Sequence, residues 1–151
     1  MSFLLQGKSV IVTGAGRGIG AAIARDLAKN GASICVADLN IEAARDVASS
    51  IGPNAIAAEV NVADRASTSA MIATAVQAFG KLDVIYNNAG ISQTCNFMDV
   101  TEEDWHRIMD VNGLGVLIGT QEAARQMKTQ GTGGKIINTA SIAGKQGYPL
   151  F

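Results

Sequence analysis

Short apolar runs alternate along the chain with longer stretches whose apolar residues recur every three or four positions. Residues 8–13 (KSVIVT) form the first run, ended by Gly14. Across 18–30, Ile19, Ile23 and Leu27 share one face, with Gly31 as a stop; this spacing predicts an amphipathic helix. Residues 33–37 (SICVA) predict a second strand. Across Ile41–Ile51, the residues Ile41, Ala44, Val47, Ala48 and Ile51 align, and Gly52-Pro53 ends that helix. A third strand over 55–60, a helix from Asp64 or Arg65 to Phe79 closed by Gly80, and a fourth strand over 82–86 follow. Thr101 and Asp104 form an acidic capping box that opens a helix to about Lys128. Gly113, Gly115 and Gly119 interrupt it, each at about 1 kcal/mol relative to alanine, so they imply close packing against a neighbouring backbone; a kinked or broken helix is the alternative. Residues 131–134 make a turn, and 135–139 (KIINT) a fifth strand.

Strands alternating with helices of ten or more residues imply parallel βαβ units with right-handed crossovers. The expected fold class is α/β: a doubly wound parallel sheet of about five strands, helices on both faces, in a single domain without repeats or linkers.

Composition narrows the function. With 48% hydrophobic residues, 151 residues suffice for one core and exclude disorder. Charges nearly cancel, 12 basic against 13 acidic, which gives no reason to expect nucleic acid or an anionic membrane as partner. No 18-residue apolar stretch and no signal-peptide pattern are present, so neither a membrane span nor secretion is expected. Cys35 and Cys95 lie far apart and His106 is the single histidine; no metal site is expected, and a reduced, cytoplasmic setting is. Trp105 and His106 read as packing or surface residues.

The strongest local signal is Thr13-Gly14-Ala15-Gly16-Arg17-Gly18-Ile19-Gly20, lying between the first strand and the first helix. Gly14 permits a sharp exit from the strand, Gly18 leaves room for a pyrophosphate, and Gly20 allows the helix to pack tightly. The helix N-terminus then presents free N–H groups to the phosphates. The bland alternative is a glycine-rich turn without a ligand. Asp38 ends the second strand, 18 residues after Gly20, where a carboxylate can accept from the hydroxyls of an adenosine ribose. Its charge opposes a 2′-phosphate by about 4 kcal/mol at 4 Å and an effective dielectric of 20. Arg17 offsets part of that, and the balance favours NAD(H) over NADP(H). A turn or capping aspartate is the alternative for Asp38.

The glycine loop, Asn87-Asn88-Ala89-Gly90 after the fourth strand, Asn112 in the long helix and Ser141 after the fifth strand together resemble the short-chain dehydrogenase/reductase family, from about residue 7 to the end. The resemblance implies a Rossmann-like, NAD-binding domain over 1–151. It further implies that Gly14, Gly18, Ile19 and Gly20 wrap the pyrophosphate, and that Asp38 and Leu39 meet the adenosine ribose. Asn61 and Val62 would contact adenine, where the family more often has Asp-Val. Asn88, Ala89 and Gly90 would line the cofactor floor. Asn112 would hold a water in a proton relay, and Ser141 would hydrogen-bond the substrate oxygen. Each alone has an ordinary structural reading; for Asn87 the strand-terminating role is favoured.

The family's Tyr-x-x-x-Lys pair falls beyond Phe151 by this spacing, and Tyr148 reads as a loop residue. The chain is therefore expected to be the N-terminal part of a longer reductase, without its later strands and helices, inactive by itself and poorly stable, with residues 135–139 as an exposed edge. The parent is expected to transfer hydride between NAD(H) and a small secondary alcohol or ketone, as a homo-oligomer built through the long helix. The segment Gly133-Gly134-Lys135-Ile136-Ile137-Asn138 looks like those of polyol, acetoin and sugar-alcohol dehydrogenases. Two other readings stand beside this one: a non-catalytic dinucleotide-binding module, and an inactive truncated product.

Overall fold

The computed structural model describes residues 4–149. Its strands are β1 (Ser9–Thr13), β2 (Ser33–Asp38), β3 (Ala55–Glu59), β4 (Val84–Asn87) and β5 (Lys135–Asn138). Its helices are α1 (Gly18–Lys29), α2 (Ile41–Ile51), α3 (Arg65–Phe79), α4 (Glu102–Met109) and α5 (Gly115–Gln130). The five strands are parallel, in the order β3-β2-β1-β4-β5. The sheet is parallel and doubly wound, as the alternation of runs implies, and Rossmann-like, as the resemblance implies. The winding reverses between β1 and β4, and at such a switch point the loops leaving the two strand ends part to open a crevice.

Period-two alternation divides the sheet between two cores. Val10, Val12, Ile34 and Val36 face one side and pack with Ala21, Ala24, Ala44, Val47 and Ala48 of α1 and α2. Ile11, Cys35, Ala37 and Ile85 face the other, against Met71, Ile72 and Ala75 of α3 and Ala123 and Met127 of α5. Burial in this second core pushes the Cys35 thiol up to about 12, so it is inert packing. At the opposite end of the sheet from the crevice, Asp83 accepts the Ser9 N–H at 2.9 Å and pairs with Lys81 and Lys8. Burial raises its pKa, but the Ser9 bond and the two lysines outweigh that and hold it below the usual value. No helix among the described residues is long and apolar enough to cross a membrane.

Three features depart from the sequence reading. Leu82 lies outside β4 because the Gln130 side chain takes over its backbone: Leu82 N–H donates to Gln130 Oε1 at 3.0 Å and Gln130 Nε2 donates to Leu82 O at 2.7 Å. The long helix is neither one α-helix nor broken. It widens into a π-turn over Asp110–Leu114, while the flanking Met109 and Gly115 keep right-handed helical dihedrals. The glycine packing is against side chains more than backbone: a Cβ at Gly115 would come within 2.8 Å of Val62 Cγ2, and one at Gly119 would strike Asn87 Oδ1. Gly113 meets only the end of Met109.

The predicted capping box is present: the Thr101 hydroxyl accepts from the Asp104 N–H, and the Asp104 carboxylate accepts from the Thr101 N–H. Bonds from the Thr101 hydroxyl, Gln93 and Arg107 lower the pKa of Asp104 to about 2. A carboxylate depressed in the fold stabilises above its unfolded pKa, about 3.9, and loses that effect as pH falls through the folded value. The start of α4 is therefore expected to loosen between about pH 4 and 2. Fluorescence of Trp105, the single tryptophan, reports this locally; Asp104→Asn should remove the transition, and its persistence in that variant would refute the assignment.

Candidate functional site

A cleft of about 750 Å³ opens at the carboxyl ends of β1, β2 and β4, where the winding reverses. Its walls include every residue that sequence reasoning assigned to the cofactor: Gly14, Arg17, Gly18, Ile19, Gly20, Asp38, Leu39, Asn61, Val62, Asn88, Ala89 and Gly90. Gly16, Asn40, Ala43, Val60, Ile91, Val111 and Thr139 complete them. Arg17 is the cation and Asp38 the carboxylate among these wall residues. Ile19 and Leu39 are 70% and 68% exposed, two apolar side chains on the rim for a ligand to cover.

The glycines act differently from one another. Gly14 turns the chain out of β1 at φ +63°, and its missing Cβ makes room for Ala89 Cα, which would lie 2.8 Å away. Gly18, at φ +54°, has open space where a Cβ would project, on the cleft side of the first turn of α1. At Gly20 a Cβ would strike the Gly14 carbonyl oxygen and approach Asn88 Nδ2 at 2.7 Å, so α1 can close on the strand ends only with glycine there. No side chain caps α1, which leaves its first amides for a ligand.

Thr13 organises the cleft from beneath. Its hydroxyl donates to Tyr86 O at 3.2 Å and accepts the Asn88 and Ala89 N–H groups at 3.0 and 3.1 Å. Asn88 Nδ2 donates to Thr13 O at 3.0 Å, and Thr139 Oγ1 donates to Asn88 Oδ1 at 3.3 Å. One hydroxyl thus joins the ends of β1 and β4. Asn87 ends β4 as expected, but its amide bonds side chains of other elements: Nδ2 donates to Asn138 Oδ1 at 2.8 Å and Thr120 Oγ1 at 3.3 Å, tying β4 to β5 and α5. Asn61 Oδ1 accepts the Ala63 N–H at 3.1 Å, which leaves it one lone pair for a ligand.

Asn112 and Ser141 are outside the cleft walls. The Asn112 amide clamps the backbone of Ile91, Oδ1 accepting its N–H at 2.9 Å and Nδ2 donating to its carbonyl at 2.8 Å. It therefore supports a wall residue from the π-turn. Ser141 is exposed, two residues past Thr139, and its Oγ accepts the Ala143 N–H at 3.1 Å, capping a short 3-10 turn over Ile142–Gly144. Its hydroxyl proton stays available to another acceptor. Thr13 and Gly16 stood in the motif without an assigned role. Thr139 was findable from its place at the end of a parallel strand, whereas nothing local marked Val111.

Residues 8–151 match the family model for short chain dehydrogenase. A sorbitol dehydrogenase of Cereibacter sphaeroides is 40% identical over 146 residues, 97% of this chain and 57% of that protein. An L-rhamnose 1-dehydrogenase (NAD(P)(+)) of Azotobacter vinelandii is 42% identical over 147 residues, 93% of this chain and 57% of that one. A crystal structure of a short-chain type dehydrogenase/reductase from Mycobacterium marinum superposes with a TM-score of 0.92 at 35% identity, covering 97% of this chain and 61% of the other. The chain belongs to the short chain dehydrogenase family. It spans a little under three-fifths of the length of the curated relatives it matches.

Proposed function

We propose that this chain forms the dinucleotide-binding part of an oxidoreductase that moves a hydride between NAD(H) and a small secondary alcohol or ketone, a polyol or sugar-like compound being the favoured class. The observation that carries the reading is the cleft itself, in which a glycine loop, a strand-end carboxylate and the Asn88–Gly90 segment meet. The residues fit the cofactor: the open space at Gly18 and the uncapped start of α1 suit a diphosphate, and Asp38 suits a ribose. The relatives named for sorbitol and rhamnose support the substrate class.

When bound, the nicotinamide would supply or accept the hydride. Gly14, Gly18, Ile19 and Gly20 would hold the diphosphate, with Arg17 adding positive charge. Asp38 and Leu39 would hold the adenosine ribose, and Asn61 and Val62 the adenine. That order leaves the end at Gly90, Ile91 and Thr139 for the nicotinamide. Ser141, just beyond Thr139, would donate its hydroxyl proton to the substrate oxygen. Asn112 would serve a water relay through the amide proton and lone pair that Ile91 leaves unused. Trp105, Met109, Leu114 and Leu117 are exposed along α4, the π-turn and α5, which supports self-association through that helical run.

Cofactor choice follows from charge. At 4 Å a 2′-phosphate and Asp38 repel by about 1 kcal/mol in water and about 4 at an effective dielectric of 20; a half-buried carboxylate lies between. Fluorescence titration is therefore expected to show NADH binding at least tenfold tighter than NADPH. Equal affinities, or a preference for NADPH, would overturn the choice of NAD; binding of neither at millimolar concentration would overturn the function.

A further inference from the structure

We infer that Asp38 has a second task besides receiving a ribose: its carboxylate anchors the diphosphate loop, so that one side chain couples the choice of sugar to the affinity for phosphate. The inference rests on the cofactor reading above. The carboxylate ends β2, whereas the loop leaves β1, its neighbour in the sheet. Asp38 Oδ2 accepts the Gly16 N–H at 2.8 Å, and Oδ1 accepts the Asn40 N–H at 3.0 Å. The first bond joins the two strand ends; the second turns the chain toward α2. Beside them, the Ala15 N–H donates to Ala37 O at 3.0 Å.

Gly16 is seated hard against this carboxylate. A Cβ there would lie 2.9 Å from Asp38 Oδ2 and 2.9 Å from Ala43 Cβ. The second half of the loop, Arg17 and Gly18, has no such seat; Gly18 would put a Cβ into open space. The Gly16 bond is thus the side-chain anchor of the loop, beside the backbone bond at Ala15. A carboxylate offers about four acceptor positions. Two are used here, one on each oxygen, and two remain. A ribose can therefore bind without releasing the loop, and the loop is already set before a ligand arrives.

The consequence opposes simple electrostatics. Removing a negative charge beside an anion site should tighten phosphate binding. Removing an anchor should loosen it, because the amides must then be ordered at the expense of binding. A ligand without any ribose separates the two effects. It also separates them from the known way a carboxylate selects its sugar, since pyrophosphate has no hydroxyls for Asp38 to receive.

The test uses the full chain, inorganic pyrophosphate and NADH, with amide chemical shifts for affinity and hydrogen exchange at Gly16 as the local readout. Asp38→Ala is expected to weaken pyrophosphate at least fivefold and to speed Gly16 exchange at least tenfold. Asp38→Asn keeps one acceptor oxygen without the charge, and is expected to recover most of both while still weakening NADH. Gly16→Ala leaves the carboxylate in place but pushes the loop off it, and is expected to weaken pyrophosphate as Asp38→Ala does; it keeps the test open should Asp38→Ala fold poorly. Unchanged or tighter pyrophosphate binding in Asp38→Ala, or unchanged Gly16 exchange, overturns the inference even if NADH binds the unaltered chain. Failure of the unaltered chain to bind NADH overturns the cofactor reading, and Gly16 exchange in the variants still decides the anchor.

Discussion

Gly20→Ala is expected to abolish measurable NADH binding and to lower the melting temperature by roughly 2–12 °C. The added methyl group meets the Gly14 carbonyl oxygen, a backbone atom that no rotamer change can move, and then Asn88 Nδ2. Overpacking of this kind costs about 1–3 kcal/mol, and each kcal/mol shifts the midpoint by about 2–4 °C in a chain of this size. The loss of binding exceeds the loss of stability because relief comes from sliding α1 away from β1. That displaces the first-turn amides from the loop with which they would share the diphosphate. Circular dichroism melts and NADH fluorescence on the same preparation separate the two effects. Unimpaired affinity would mean that α1 does not hold the phosphates.

The second large effect is expected at Thr13→Val, which keeps shape and removes a hydroxyl. Three hydrogen bonds go at once; the half-buried Ala89 amide loses its acceptor, while the Asn88 N–H keeps Tyr86 O at 3.0 Å. An orphaned buried group costs about 1–3 kcal/mol, and partial exposure discounts this, so a net loss of about 1–2 kcal/mol is expected. NADH affinity should fall as well, by about tenfold, because Asn88, Ala89 and Gly90 form one wall of the cleft. Thr13→Ser retains the hydroxyl and should restore most of both. If the valine variant melts with the unaltered chain, the hydroxyl is not what joins β1 to β4.

How far the sequence reveals this molecule depends on the range of the forces involved. The starts of α3 and α4 were legible because their caps are local: Asp64 and Thr101 each accept an N–H three residues on, as Asn40, unread in the sequence, does for α2. Strands β1 and β2 were legible as continuous apolar runs because the sheet buries both of their faces. The residues that line the cleft could be placed together because glycines and strand-end residues expose backbone at fixed offsets from their own elements. Leu82 was misplaced because its partner, Gln130, lies 48 residues away. The π-turn escaped notice because its effect is to aim Asn112 at Ile91, 21 residues back, and no local spacing encodes that bond. The 3-10 turns over Phe97–Asp99 and Ile142–Gly144 lie in segments without apolar periodicity. Asn112 and Ser141 lie outside the cleft walls, and each spends part of its hydrogen-bonding capacity on backbone, at Ile91 and Ala143.

The most direct measurement is a crystal structure of the chain with NADH bound. The account predicts the diphosphate on the amides of Gly18, Ile19 and Gly20, the adenosine ribose hydroxyls within hydrogen-bond distance of Asp38, and the nicotinamide toward Gly90 and Thr139. Density for the dinucleotide elsewhere on the surface, or an adenosine ribose turned away from Asp38 with the Gly16 loop displaced, would contradict it.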